Sequence, residues 1–187
     1  NENFDIIEID IQLCKSGEII VYHDTYLQEY MIENLTIEEI SLIDDKILKL
    51  EDVFNIKSIK NTKLYLDLKG NITLANSLVK FLQINNIKLE NLYIASFNIL
   101  HIEYLYKFFP NISYGIITAN NFDATLYYSL IQKKYFKFFS ICWTMLNKNT
   151  CDLLHAMDLK IFIYSCENKT IYNKILQYDI DGIVTNY

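Results

Sequence analysis

Residues 4–14 read FDIIEIDIQLC, an apolar run of the kind that forms a buried strand, yet it carries Glu8 and Asp10 two positions apart. Side chains at i and i+2 of a strand share a face, roughly 6.5–7 Å apart. Burying one unpaired carboxylate is costly, and burying two like charges side by side is worse. The odd positions Ile7, Ile9, Ile11 and Leu13 suit an apolar contact with surrounding helices, which turns Glu8, Asp10 and Gln12 to the opposite face. Residues 64–69, LYLDLK, repeat the arrangement: Leu64, Leu66 and Leu68 take one face, and Tyr65, Asp67 and Lys69 the other. Three inward acids against one lysine leave an excess of negative charge. A divalent cation with oxygen ligands, Mg²⁺ or Ca²⁺, would neutralise it. The plainer alternative is a set of structural salt bridges in which Lys69 neutralises one carboxylate.

Outward from this stretch, strand-like runs alternate with helix-like segments along the whole chain. Strands are expected near 4–14, 18–24, 64–69, 92–96, 112–118, 138–143, 160–165 and 181–185, the first two being either separate or one long strand bent at KSGE. Helices are expected at 36–43, 50–57, 73–85, 98–108, 121–133, 150–157 and 168–178. Thr36 with Glu39 three residues on has the form of a capping box. Ile171, Ile175 and Leu176 have the spacing of an amphipathic helix face. Such alternation predicts a parallel sheet with helices packed outside, either an open doubly wound sheet or a (β/α) barrel. No Pro- or Gly-rich linker marks a second domain, so residues 1–187 are expected to form one. A complete barrel typically needs about 250 residues, and 187 residues look one βα unit short.

The net charge of −6 and the lack of a Lys/Arg stripe argue against nucleic-acid binding. No apolar stretch approaches the ~20 residues of a membrane span, so no stable membrane insertion is expected. The four cysteines, Cys14, Cys142, Cys151 and Cys166, form no CxxC pair. Cys14 and Cys166 fall in predicted strands, where buried free thiols are expected, and the set fits a reducing, cytoplasmic compartment. His23 closes the strand EIIVYHD and is followed by Asp24. It lies at a strand's C-terminal end, where barrel enzymes keep their active sites, and its imidazole can serve as general acid or base. His101 and His155 fall in predicted helices and are read as bystanders.

The ordered set of motifs resembles the glycerophosphodiester phosphodiesterase family. IEIDIQLCKSGEIIVYHD (residues 7–24) matches its E-x-D strand, its T-x-DG turn and its VV-x-HD strand. LTIEEISLID, ILKLEDVFN, LYLDLK, IASFN, IFIYSCEN and DGIVTNY follow in the family's order. The resemblance implies a TIM-type (β/α)8 barrel that hydrolyses glycerophosphodiesters to sn-glycerol 3-phosphate and an alcohol, with Mg²⁺ or Ca²⁺, and hence a place in lipid metabolism. It implies metal ligation by Glu8, Asp10 and Asp67, the last standing where the family has a glutamate. It further implies phosphate contact by Lys69, catalysis by His23, and a pocket lined in part by Phe97 and Tyr164. Asn186 stands where the family has an aspartate. The family's opening HRG strand, PENT segment and helix have no counterpart before Asn1, so the resemblance implies a barrel lacking or not showing its first βα unit. Two other readings are carried beside it: a fold that binds a phosphodiester or protein partner without turnover, and a related barrel phospholipase.

Overall fold

The structure, a computed structural model, describes residues 4–85, 87–120, 132 and 135–186. It divides into two compact units at the boundary between Ile112 and Ser113.

In the first unit, strand β1 (Ile6–Leu13) lies between β2 (Ile19–Val21) and β5 (Lys63–Leu68), and β6 (Leu92–Ser96) follows β5. β1, β5 and β6 run parallel, with Asp10 paired to Asp67 and Asp67 to Ala95. β2 corrects the reading from sequence. It is neither a continuation of β1 nor a parallel strand, but pairs antiparallel with β1, Gln12 opposite Ile20. The physical reason is connection length. Lys15–Glu18 are enough for a hairpin, in which Gly17 takes φ +101°, whereas a parallel return needs a crossover of a dozen residues or more.

A two-stranded ribbon, β3 (Tyr26–Leu27) and β4 (Tyr30–Met31), was not foreseen. With helix α1 (Ile37–Ile43) it covers a small apolar cluster of Cys14, Ile20, Leu27, Ile32, Leu35 and Ile40. Thr36 caps α1 as expected: its hydroxyl accepts from the Glu39 N–H, and the Glu39 carboxylate accepts from the Thr36 N–H. Helix α2 (Leu50–Asn55) precedes β5, and α3 (Thr73–Ile84) follows it. α3 buries Leu74, Ala75, Leu78, Val79 and Leu82, one face of a 3.6-residue period. Helix α4 (Ile99–Tyr106) follows β6 and is capped by the Asn98 side chain. The outward face of β1 is less covered than the alternation suggested, since Ile7 is 37% exposed.

The second unit carries four parallel strands in chain order: β7 (Ser113–Thr118), β8 (Phe136–Cys142), β9 (Lys160–Cys166) and β10 (Gly182–Thr185). Helix α5 (Lys148–Ala156) links β8 to β9, and α6 (Lys169–Ile175) links β9 to β10. α6 ends at Ile175, its buried residue, so Leu176 falls past the helix and is exposed. Phe138 fits beside β7 because residue 115 is glycine; a Cβ there would stand 2.2 Å from the Phe138 ring. The helix expected at 121–133 falls, apart from Gln132, outside the described residues. All four cysteines are free thiols, and Cys14, Cys151 and Cys166 are buried.

Candidate active site

The site grows from two adjacent strands of the first unit. Glu8 and Asp10 share a face of β1 because they are two apart. The parallel register sets Asp67 of β5 directly beside Asp10. One oxygen each from Glu8, Asp10 and Asp67 can be chosen so that all three lie within 4.8 Å of one another. The shorter aspartate at position 67 therefore still reaches the group, since the backbone of β5 brings it there. Lys69 sits two residues beyond Asp67, on the same side. Its Nζ stands 2.5 Å from Asp67 Oδ2 and 3.0 Å from Asp10 Oδ1.

One lysine cannot neutralise this cluster. Burial, reinforced by the charges of Asp10 and Asp67 and only partly opposed by Lys69, pushes the Glu8 carboxyl up to about 8. Burial also raises Asp67, to about 6, against the charge and hydrogen bond of Lys69. Lys69 itself is raised: burial pulls its pKa down, but Asp67 and Asp10 outweigh that. Left to its own side chains, the cluster relieves its excess charge by keeping a proton on Glu8. A cation would do the same and leave the acids ionised.

The donor set fits a hard divalent cation. Asp67 Oδ2 is taken by Lys69, but Asp67 Oδ1 is buried with no hydrogen-bond partner. A buried, unmatched carboxylate oxygen asks for an explanation, and an ion is one. With oxygen donors only and no Cys or His in the group, Mg²⁺ or Ca²⁺ suits it better than zinc. Salt bridges alone satisfy Asp10 and one oxygen of Asp67, leaving the other oxygen and Glu8 unaccounted for.

His23 lies where the chain bends away from β2. Because β2 is antiparallel, His23 follows the end of the β1–β2 ladder, one residue after the Tyr22 N–H that donates to the Asp10 carbonyl, rather than the end of a parallel strand. Its side chain is 73% exposed, and Nδ1 lies 2.7 Å from Asp24 Oδ1. With Nδ1–H donated to Asp24, Nε2 is the nitrogen left for chemistry. Sequence reasoning noted Asp24 without giving it this role; the adjacent His-Asp pair was the available signal. Phe97 follows β6, half-exposed, with Lys69 Nζ 5.7 Å from its ring centroid. Tyr164 lies on β9 of the second unit.

His101, set aside as a bystander, is wholly buried and structural. Its Nδ1 meets Ser96 Oγ at 2.9 Å and its Nε2 meets the Asn71 carbonyl at 2.7 Å. Ser96 Oγ also donates to the Leu68 carbonyl at 2.7 Å. The three contacts fasten the end of β6 to both sides of Lys69, and burial lowers the His101 pKa against the hydrogen bond to Asn71. No sequence signal joins residues this far apart. His155, in the second unit, lies 3.0 Å from Asp181 and 3.4 Å from Asp179. Lys69 also borders a cavity of about 520 Å³, with Gln12, Lys15, Thr25, Glu33 and Asn71. Among the described residues, no helix is long and apolar enough to cross a membrane.

No family model matches the chain. Two curated relatives do. YhdW of Bacillus subtilis, named as a glycerophosphodiester phosphodiesterase, is 26% identical over 208 residues, spanning 99% of this chain and 84% of its own. A glycerophosphodiester phosphodiesterase of Caldanaerobacter subterraneus is 24% identical, spanning 97% of this chain and 82% of its own. Among solved structures, the glycerophosphodiester phosphodiesterase of Thermotoga maritima superposes with a TM-score of 0.77 at 22% identity, over 95% of this chain and 80% of that one. An Oleispira antarctica phosphodiesterase, solved with its product sn-glycerol-3-phosphate, gives 0.80 at 17% identity, over 98% and 81%. Fold and site thus define a β/α protein of the TIM-barrel type whose parallel strands carry an acidic cluster able to hold a metal ion. Over nearly its whole length the chain is similar to glycerophosphodiester phosphodiesterases, which are phosphoric diester hydrolases.

Proposed function

We propose that this chain hydrolyses glycerophosphodiesters to sn-glycerol 3-phosphate and an alcohol, with Mg²⁺ or Ca²⁺ held by Glu8, Asp10 and Asp67. The observation that carries the reading is the buried, unpartnered Asp67 Oδ1 within a three-carboxylate cluster that one lysine cannot neutralise. The names of the relatives, and the product in the Oleispira structure, supply the substrate class.

The bound cation would polarise a phosphoryl oxygen and stabilise the charge that develops there. The remaining work falls to side chains of this chain. Lys69, fixed by Asp10 and Asp67, presents its ammonium to a second phosphate oxygen. Phe97 covers that ammonium from one side and shields it from water. His23, its Nδ1 engaged by Asp24, uses Nε2 to move a proton to the leaving alcohol oxygen. The cavity bordered by Lys69 and Gln12 offers space for the alcohol portion. Tyr164 is proposed as a further pocket residue.

Release of sn-glycerol 3-phosphate from glycerophosphocholine, assayed with added Mg²⁺ or Ca²⁺ and with EDTA, tests the proposal. Turnover should require the cation, and His23→Ala should lower kcat by about 10²–10⁴-fold. That variant should leave the fold intact, because the ring is exposed. Metal-dependent binding of the diester without turnover would overturn the enzymatic reading in favour of a binding domain.

A further inference from the structure

Gln12 continues the row begun by Glu8 and Asp10, and it is almost wholly buried, at 6% exposure. Its charge-free side chain contributes nothing to the acidic cluster. Its Nε2 instead donates to two backbone carbonyls, Tyr22 O at 2.8 Å and Asp24 O at 2.7 Å. These carbonyls belong to the residues on either side of His23. A carboxamide carries two N–H groups on one nitrogen, so a single side chain can serve both acceptors.

The position of this clamp gives it meaning. The β1–β2 ladder ends with the Tyr22 N–H donating to the Asp10 carbonyl at 3.0 Å. Beyond that point residues 23–25 bend out of the sheet, and an exposed bend is a poor platform for a ring that must meet a phosphate. Gln12 is rooted in the same strand as Glu8 and Asp10. It therefore ties the bend to the element that carries the acids. A glutamate of the same length would set lone pairs against both carbonyls, and an asparagine is one methylene shorter.

We infer that Gln12 is the positioning residue for His23: by holding the peptide on both sides of the histidine, it fixes where the imidazole stands relative to the Glu8–Asp10–Asp67 cluster. The catalytic consequence rests on the hydrolytic reading above; the geometric one does not. A merely structural glutamine, satisfying two buried carbonyls, would stabilise the chain without acting through His23.

Gln12→Leu and Gln12→Glu, each alone and combined with His23→Ala, separate the two. Each single variant should lower kcat about 10–100-fold, the cost of misplacing a reacting group by about 1 Å, while KM changes by less than about threefold. In the His23→Ala background the same substitutions should cost little more, because the residue they act through is already gone. Equal fold-losses in both backgrounds would overturn the inference. A second readout needs no turnover. In NMR spectra of histidine-labelled chain, the His23 ring signals should shift or broaden in both Gln12 variants, while those of the buried His101 stay in place as a control of the fold. Unchanged His23 signals beside an unchanged His101 would also overturn it. If Gln12→Leu disturbs His101, the comparison is made on Gln12→Glu, which keeps size and polarity. A wild-type chain without turnover sinks the hydrolytic reading and leaves the NMR comparison to decide the positioning role.

Discussion

β5 of the first unit and β8 of the second are both parallel strands flanked by parallel neighbours, and both are buried on two faces. Residues 64–68 of β5 and 138–141 of β8 are buried without a break. The faces they present differ. In β8, Phe138 and Phe139 are fully buried, the Phe138 ring lies 4.8 Å from that of Phe162, and Gly115 makes room for it. In β5 the corresponding kind of position holds Asp67, paired with one lysine and set beside two more acids. Carbon packing of the first kind stabilises the fold, at roughly 25 cal/mol per Å² of apolar surface removed from water. Carboxylates in the second setting cost stability unless something neutralises them. The same strand geometry thus serves as core in one unit and as a charged cradle in the other.

The contrast can be broken at its apolar end first. Phe138→Ala should destabilise the chain by about 3–5 kcal/mol, the range for emptying a buried aromatic site. Cation binding, measured by calorimetry on the still-folded variant, should be unchanged within error. Urea unfolding reads the stability, and a loss below about 1 kcal/mol would show that the ring is not core.

At the charged end the expected effect is smaller in stability and large in binding. Asp67→Asn removes one of three acids and should weaken Mg²⁺ or Ca²⁺ binding by at least about 10²-fold, more than the 10–100-fold typical of groups that only support a ligand. Thermal unfolding of the metal-free variant should match or exceed the parent, since a function-bearing charge has been removed. Unaltered cation affinity would dissolve the cradle and leave only salt bridges.

The smallest effect is spread over pH. Folded Glu8 keeps its proton up to about pH 8, whereas an unconstrained glutamate releases it near 4.5. Asp67 behaves likewise, with about 6 against 3.8. Between those values the native state binds more protons than the unfolded chain. The metal-free chain should therefore lose stability as pH rises from about 4 to 8, by at most about 1.4 kcal/mol per pH unit for each proton. Saturating Mg²⁺ or Ca²⁺ should flatten or reverse the slope, because cation binding displaces those protons. Metal-free stability that climbs with pH over that window would contradict the buried-acid account.

Much of this was legible in the sequence. The strands around Glu8, Asp67, Ala95, Ile116, Phe139, Ile163 and Ile183 were placed to within a few residues, because apolar runs broken by turn signals are local features. So was the capping box of Thr36 and Glu39, which lies within one helical turn. The shared face of Glu8 and Asp10, and that of Asp67 and Lys69, was also readable, since two-residue periodicity fixes which side chains of one strand point together; the β1–β5 register then set Asp67 beside Asp10. What tertiary structure alone decided concerns groups far apart in the chain. It made β2 an antiparallel partner of β1 and so set His23 just past the end of the β1–β2 ladder. It gave His101 a structural place between Ser96 and Asn71, and it laid the Gln12 carboxamide across the carbonyls of Tyr22 and Asp24. The physical reason is the same in each case. Periodicity and capping act over a few bonds, so a sequence displays them directly. Hydrogen bonds between distant segments depend on strand direction and register, which only the folded chain sets.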